Sequence, residues 1–598
     1  MAWPFGPRGM GRRGPKRRAP SRAQPARVWW GFGAPPPPTE RRIEPAPWLC
    51  ASLAAGALAA GWALALSWRP LPLLGAPPGE LAAHLRGWAD CALHAMSPRL
   101  RAPEAASYAR WWRGSGEAWR AAWRIGCAAI AGAAPACLLA RPMLRPRDAM
   151  SQARGPRRFD GPDAAERLAE RAREMEPQSP MGFEIAPGAP FPSRLWARHC
   201  LVVGGVGGGK SVLLRRLVDR IERSRHQLMI FDAKSEFTAR LDEAALIAPW
   251  DERGLAWDVA LDARDAPDME RLAEAFIPEG KDPMWPAAAR RVFVGCLMAL
   301  RRTRGDDWGW AEMRDVLTQP LSGLADTLRE HAPEAALLFE GSGATSQSIA
   351  VTLASFCGPV CRLADAWGAH PRERRISVRQ WALGRTPWRQ IVLQGNAMHG
   401  PLSLAVSRGV VGVFAAMVAS VEMDDSAAAG GSGRAGSRAA AGRRPPIWFV
   451  ADEFPQMGSV AIQALFAMGR SRDLRCVIAA QDVAQVDEVH GPHFARALGS
   501  MCGTLVVAQT LPGETADRVA GWLGERRMER PAGAEPGSFT PQSEPLYLPQ
   551  ELASRLGPEP GGVRLLVSLR GDAFEVFCPH AHFEARQPAR VRARWLDS

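Results

Sequence analysis

A chain of 598 residues exceeds one domain, and 47% hydrophobic content excludes an intrinsically disordered protein. A formal charge of +14 favours polyanionic partners, nucleic acid or acidic lipid, and says nothing of fold. The eleven cysteines are scattered, and no second pair or histidine cluster joins Cys357 and Cys361. This excludes a disulfide framework and a zinc site, and leaves free thiols in a reducing compartment.

Residues 1–47 are rich in arginine and proline and read as a basic disordered tail. Trp48 to Trp68 is uncharged and apolar, with tryptophan near both ends. At about twenty residues it suits a bilayer, and the basic stretch before it is too long for a signal peptide. A second apolar stretch, residues 125–140, contains Pro135 and is crowded by Arg120, Arg124, Arg141, Arg145 and Arg147. It reads as a second span, with a buried soluble helix as the alternative. The positive-inside rule then places both termini in the cytoplasm and residues 69–124 in the periplasm. Residues 141–190 form a linker and the start of the cytoplasmic region.

The remainder has the pattern of an α/β domain. Cys200 to Val203, Gln227 to Phe231, Ile391 to Leu393, Ile447 to Ala451, Cys476 to Ala480 and Thr504 to Val507 are short apolar strands separated mostly by helical patterns. That alternation predicts a parallel sheet with crossover helices. Between 265 and 385 only helical patterns recur, as in Ala287 to Arg301 and Ser346 to Ala364, which predicts an all-α insertion. The sheet domain is therefore expected in two parts, 191–264 and 386–598. Residues 424–445, rich in Ala, Gly, Ser and Arg, read as a flexible loop. Val563 to Leu569 and Ala573 to Phe577 flank Gly571-Asp572 as a hairpin.

The strongest chemical signal is Gly204-Gly205-Val206-Gly207-Gly208-Gly209-Lys210-Ser211, a complete P-loop pattern between a strand and a helix. Glycines let successive N–H groups converge on phosphate oxygens, and the helix N-terminus adds its dipole. Lys210 is expected on the β- and γ-phosphates of ATP, and Ser211 on Mg²⁺. Of 75 basic residues only Lys16, Lys210, Lys234 and Lys281 are lysine. Where arginine is so dominant, a lysine marks a place that needs a compact ammonium. Lys210 and Lys234 fit that reading; Lys16 reads as chance survival.

An apolar strand ending in Asp452-Glu453 supplies the acids that such an ATPase needs. Asp452 is expected to hold Mg²⁺ and Glu453 to polarise the attacking water. Gln481 ends the next strand, where an amide can sense the γ-phosphate. Arg470 and Arg472 follow the helix after Asp452, and either could reach a neighbour's nucleotide as an arginine finger.

These blocks together resemble the coupling ATPases of type IV secretion, of the TraD type found in conjugation. The likeness rests on the two spans, the P-loop, Phe231-Asp232-Ala233-Lys234-Ser235-Glu236-Phe237, and Lys281-Asp282-Pro283-Met284-Trp285. Asp452-Glu453-Phe454-Pro455 and the stretch from Gly469-Arg470 to Gln481-Asp482-Val483-Ala484-Gln485 complete it. The resemblance implies a RecA-like P-loop NTPase domain with an inserted all-α domain, preceded by two transmembrane helices. It implies a homo-hexamer on the bacterial inner membrane, driving a relaxase-bound single strand of DNA into a secretion channel. It favours Arg470 over Arg472. Ala233 and Ser235 replace the proline and glycine common in the family's second-strand motif, and no long acidic tail for docking follows the hairpin.

Such a ring would hold DNA without reading its sequence, alongside relaxosome proteins and inner-membrane components of the channel. Two rival readings are a coupling ATPase for protein substrates alone and a structural subunit that binds nucleotide without turnover. A chromosome translocase is a third, but its further spans and C-terminal DNA-reading domain are not evident.

Overall fold

The computed structural model describes residues 45–70, 77–98, 102–140, 151–280, 282–339, 343–423, 445–531 and 539–597. The basic tail up to residue 44, Lys281 and nearly all of the 424–445 loop lie outside the described residues. The chain divides into two compact units, Met1–Gly155 with Arg526–Glu544, and Pro156–Glu525 with Pro545–Ser598.

In the first unit, helices Pro45–Ser67 and Ala118–Ala140 pack side by side. The second helix begins seven residues before the expected apolar stretch at 125 and runs through Pro135 without ending. Small residues set the approach on both sides. A Cβ added at Gly132 would stand 2.7 Å from both the Gly56 carbonyl oxygen and the Ala60 Cβ. One added at Gly56 would stand 2.9 Å from the Ala136 Cβ. Each helix thus presents a glycine and an alanine four residues apart, the spacing that lets apolar helices touch backbone to backbone.

Between them, helices Leu81–Met96 and Ala102–Gly114 gather an aromatic cluster. Buried His84 bonds the Tyr108 hydroxyl at 2.8 Å, and the Trp68 indole donates to the Gly79 carbonyl at 2.8 Å. Arg124, fully buried, donates to the Arg69 carbonyl. Leu49–Ser67 and Ala118–Ala140 are each long and apolar enough to cross a bilayer. Helix Gly400–Ala419 has similar composition, but it belongs to the second unit, and 72% of its apolar window is buried. It is a core helix.

The second unit is built on an eleven-stranded sheet. From one edge the strands run Arg158–Phe159, Asp572–Pro579, Gly562–Leu569, Thr504–Val507, Cys200–Val203, Leu474–Ala480, Ile447–Ala451, Gln227–Asp232, Gln390–Gln394 and Ala245–Ile247. The short strand Gly557–Glu559 pairs with Gly562–Leu569. Thr504–Val507 and every strand beyond it towards Ala245–Ile247 are parallel. Every residue of Cys200–Val203, Gln227–Asp232, Ile447–Ala451 and Leu474–Ala480 is buried, as crossover helices on both faces require. Gly562–Leu569 and Asp572–Pro579 form the expected hairpin. Arg570 at φ +56° and Gly571 at φ +90° close it, the positive pair a two-residue turn needs.

The insertion is helical: Ala266–Phe276, Met284–Arg304, Trp310–Leu317, Leu321–His331, Gly343–Phe356 and Gly358–Trp367. It contains one feature absent from the sequence reading. Arg375–Ile376 pairs with Ala256–Trp257, so two residues of strand close the neck of the insertion. Asp262 clamps that neck. Fully buried, it accepts from Trp257 Nε1 at 2.7 Å, Ser377 Oγ at 2.5 Å and the Val378 and Arg379 N–H groups at 2.9 and 3.0 Å.

Candidate nucleotide site

The parallel strands all end at one edge of the sheet, and their register decides what meets there. Val203 lies opposite Ala480, Ala451 opposite Ile478, and Phe231 opposite both Ala451 and Leu393. Gly204, Gln481, Asp452-Glu453, Asp232 and Gln394 therefore emerge side by side. From the Cys200–Val203 strand to the Ile447–Ala451 strand is two strand spacings, about 10 Å, the scale of a polyphosphate with its cation. In open α/β sheets this carboxyl edge is where ligands bind.

The glycine loop is held by its neighbours. The Gly204 N–H donates to the Ala480 carbonyl at 3.3 Å and the Gly205 N–H to the Gln509 carbonyl at 2.8 Å. Gly207 and Gly209 have φ of +72° and +107°, where side chains are disfavoured. A Cβ at Gly204 would stand 2.6 Å from that of Ala508, and one at Gly208 2.6 Å from the Gln509 oxygen. Glycine is thus required at 204 and 208 by packing and favoured at 207 and 209 by backbone conformation. Val206, at the tip, is 87% exposed.

Lys210 opens the helix Lys210–Glu222 and is buried, its Nζ donating to the Gly204 and Gly205 carbonyls. Burial lowers its pKa, and the charge of Glu453 acts the other way. Ser211 follows, half-buried, in the first turn.

Asp452 and Glu453 are each 1% exposed. Among the described residues, both Asp452 carboxylate oxygens and Glu453 Oε2 are buried without a hydrogen-bond partner. Glu453 Oε1 accepts from the Gln481 N–H at 3.2 Å. Burial raises both pKa values, opposed at Asp452 first by the charge of Lys234 and at Glu453 first by that N–H. Orphaned carboxylate oxygens beside a phosphate cradle are what a Mg²⁺–nucleotide would satisfy, so the residues present fit that group.

Arg470 is not brought to this edge. Its neighbour Gly469 packs on His199, at the start of the Cys200–Val203 strand, while the glycine loop leaves from the end. Four residues of strand put Arg470 about 13 Å away along the sheet. Its side chain is 62% exposed and lies 3.6 Å from Glu176.

Two contributors escaped the sequence reading. The Ala508-Gln509 turn backs the glycine loop, and nothing local marks it, because only sheet order makes Thr504–Val507 the neighbour of Cys200–Val203. Asp232 is a clamp for the next loop, accepting from Glu236 N at 3.1 Å, Thr238 N at 2.6 Å and Thr238 Oγ1 at 2.7 Å. Burial raises its pKa to about 6 against those bonds.

Residues 184–538, more than half of the chain, match the family described as the type IV secretion-system coupling protein DNA-binding domain. The chain belongs to the type IV secretion-system coupling proteins. The coupling protein TraD of Escherichia coli (strain K12) is 23% identical over 335 residues, 54% of this chain and 43% of that protein. The matched region thus spans less than half of that relative's length. Among solved structures, the unbound conjugative coupling protein TrwBΔN70 superposes with a TM-score of 0.59 at 21% identity, covering 75% of this chain and 99% of that one. TrwB in complex with ADP and Mg²⁺ gives 0.57 at 22% identity, covering 74% and 97%. At this identity the likeness establishes the fold, a RecA-like P-loop domain carrying an all-α domain.

Proposed function

We propose that this coupling protein is a membrane-anchored ATPase that drives a relaxase-bound single strand of DNA into a conjugative secretion channel. The observation carrying the reading is the convergence of Lys210 with the buried carboxylates of Asp452 and Glu453 at one sheet edge, three of whose four oxygens have no hydrogen-bond partner among the described residues. A site that only bound nucleotide would have no use for a second buried acid.

The glycine loop N–H groups and Lys210 would cradle the phosphates of ATP, with Ser211 and Asp452 holding Mg²⁺. When bound, the metal would supply neutralisation of phosphate charge. Glu453, kept protonatable by burial and oriented by Gln481 N–H, would take a proton from the attacking water. Gln481, at the end of the neighbouring strand, would follow the γ-phosphate with its amide. Arg470, remote from its own glycine loop and exposed, would complete the site of the next subunit in a homo-hexameric ring. That arrangement couples turnover to assembly.

The two apolar helices of the first unit would anchor the ring in the inner membrane with both termini cytoplasmic. There it would meet inner-membrane components of the channel and the relaxosome, and hold DNA through backbone phosphates.

The test is ATP hydrolysis by the full chain in lipid nanodiscs, with and without single-stranded DNA, beside Lys210→Ala. DNA-stimulated turnover that the variant loses supports the proposal. Turnover indifferent to DNA in an assembled ring favours export of protein alone, and absence of turnover in that ring favours a structural subunit.

A further inference from the structure

Lys234 is not used by the site as described so far, yet the fold takes trouble to place it. Its backbone lies two residues past the pairing that sets Asp232 beside Asp452. The loop that carries it is anchored on every side. Asp232 ties down Glu236 and Thr238 as above, the Gly395 N–H donates to the Asp232 carbonyl at 3.0 Å, and Arg215 bonds Glu236 at 2.9 Å. Arg590, from the C-terminal segment, reaches back to Ser235 Oγ at 2.9 Å.

Ser235 itself is 1% exposed and left-handed, with φ +62° and ψ +21°. A non-glycine residue in that region is strained and persists only where its surroundings over-determine it. Against this rigidity the Lys234 side chain is exposed, with no hydrogen-bond or salt-bridge partner among the described residues. Its loop leaves the sheet at the carboxyl edge next to Asp452, and its charge is felt at both Asp452 and Lys210. It is also one of four lysines among 75 basic residues. A compact ammonium suits a single phosphate oxygen better than a planar fork.

Resting on the nucleotide reading above, we propose that Lys234 is a further phosphate-contacting residue. Its ammonium binds the terminal phosphate of a bound nucleoside triphosphate and has no contact with the diphosphate. The anchored loop is the device that keeps it aimed there.

The test is equilibrium binding of ADP and of a non-hydrolysable ATP analogue, each with Mg²⁺, to the full chain in nanodiscs. Lys234→Ala should weaken the analogue about tenfold or more, as expected for one charge-assisted hydrogen bond. ADP affinity should stay within about twofold of wild type. Lys234→Met, which keeps the aliphatic stem, should behave the same way, and thermal unfolding should be unmoved in both. Equal weakening of both nucleotides, or of neither, overturns the proposal. Wild-type protein that binds neither nucleotide would instead overturn the nucleotide reading on which it rests.

Discussion

Replacing Glu453 by glutamine isolates its chemistry from its packing. The Gln481 N–H that now reaches Glu453 Oε1 at 3.2 Å finds an amide oxygen in the same place. Oε2, buried without a partner, becomes an NH₂ of nearly the same size. Only charge and basicity are removed. Because burial outweighs the Gln481 N–H and the Lys210 charge and raises the carboxyl pKa, the ionised form is disfavoured on balance in the fold, and removing it costs little stability. Folding stability should therefore hold within about 1 kcal/mol. Loss of a positioned base is worth about 10²–10⁴ in rate, or about 3–5 kcal/mol on the barrier.

The assay is single-turnover hydrolysis, with nucleotide binding and thermal unfolding measured on the same preparation. Wild-type rate should also fall with acid at a pH above that of an ordinary glutamate, since the base must be deprotonated, and the variant should lack that step. Hydrolysis within about threefold of wild type, or ATP affinity falling in parallel with rate, would refute the assignment.

Arg470→Ala should abolish turnover in the ring while leaving ATP binding intact. Mixing it with Lys210→Ala should restore part of the activity, because some interfaces then pair an intact glycine loop with an intact arginine. Gly132→Leu should separate the two apolar helices, since even a Cβ there meets Gly56 and Ala60 at 2.7 Å. Cysteine pairs that cross-link the helices in wild type should stop doing so, with soluble-region ATPase unchanged. Asp262 has its pKa raised to about 6, burial outweighing its four hydrogen bonds. A folded pKa above the unfolded one contributes stability below about pH 4 that is lost as pH rises through 6. Urea unfolding should show that slope in wild type and not in Asp262→Asn.

Much of the site was legible because its parts are local. The strand, glycines and Lys210 are consecutive, and Asp452-Glu453 ends an unbroken apolar run, so period and composition announce them. Arg470 and Arg472 were both legible as candidates, only resemblance favoured Arg470, and the single chain leaves Arg470 remote from its own glycine loop. Lys234 stood out for its rarity, yet no sequence feature showed that its loop leaves the sheet next to the Asp452 strand.

The sequence by itself determined the elements whose cause lies within a few residues. These are the two apolar helices, the parallel-type strands, the glycine-rich phosphate loop and the hairpin closed at Gly571. The tertiary structure decided everything that depends on which strands are neighbours. Sheet order set the Ala508-Gln509 turn behind the glycine loop, put Asp232 beside Asp452 and brought Arg590 back to Ser235 across more than half of the chain. It also showed that a helix as apolar as a membrane span, Gly400–Ala419, is a core crossover. Local sequence encodes a segment's apolar character and period, whereas the partner that buries it is chosen only when the whole sheet assembles.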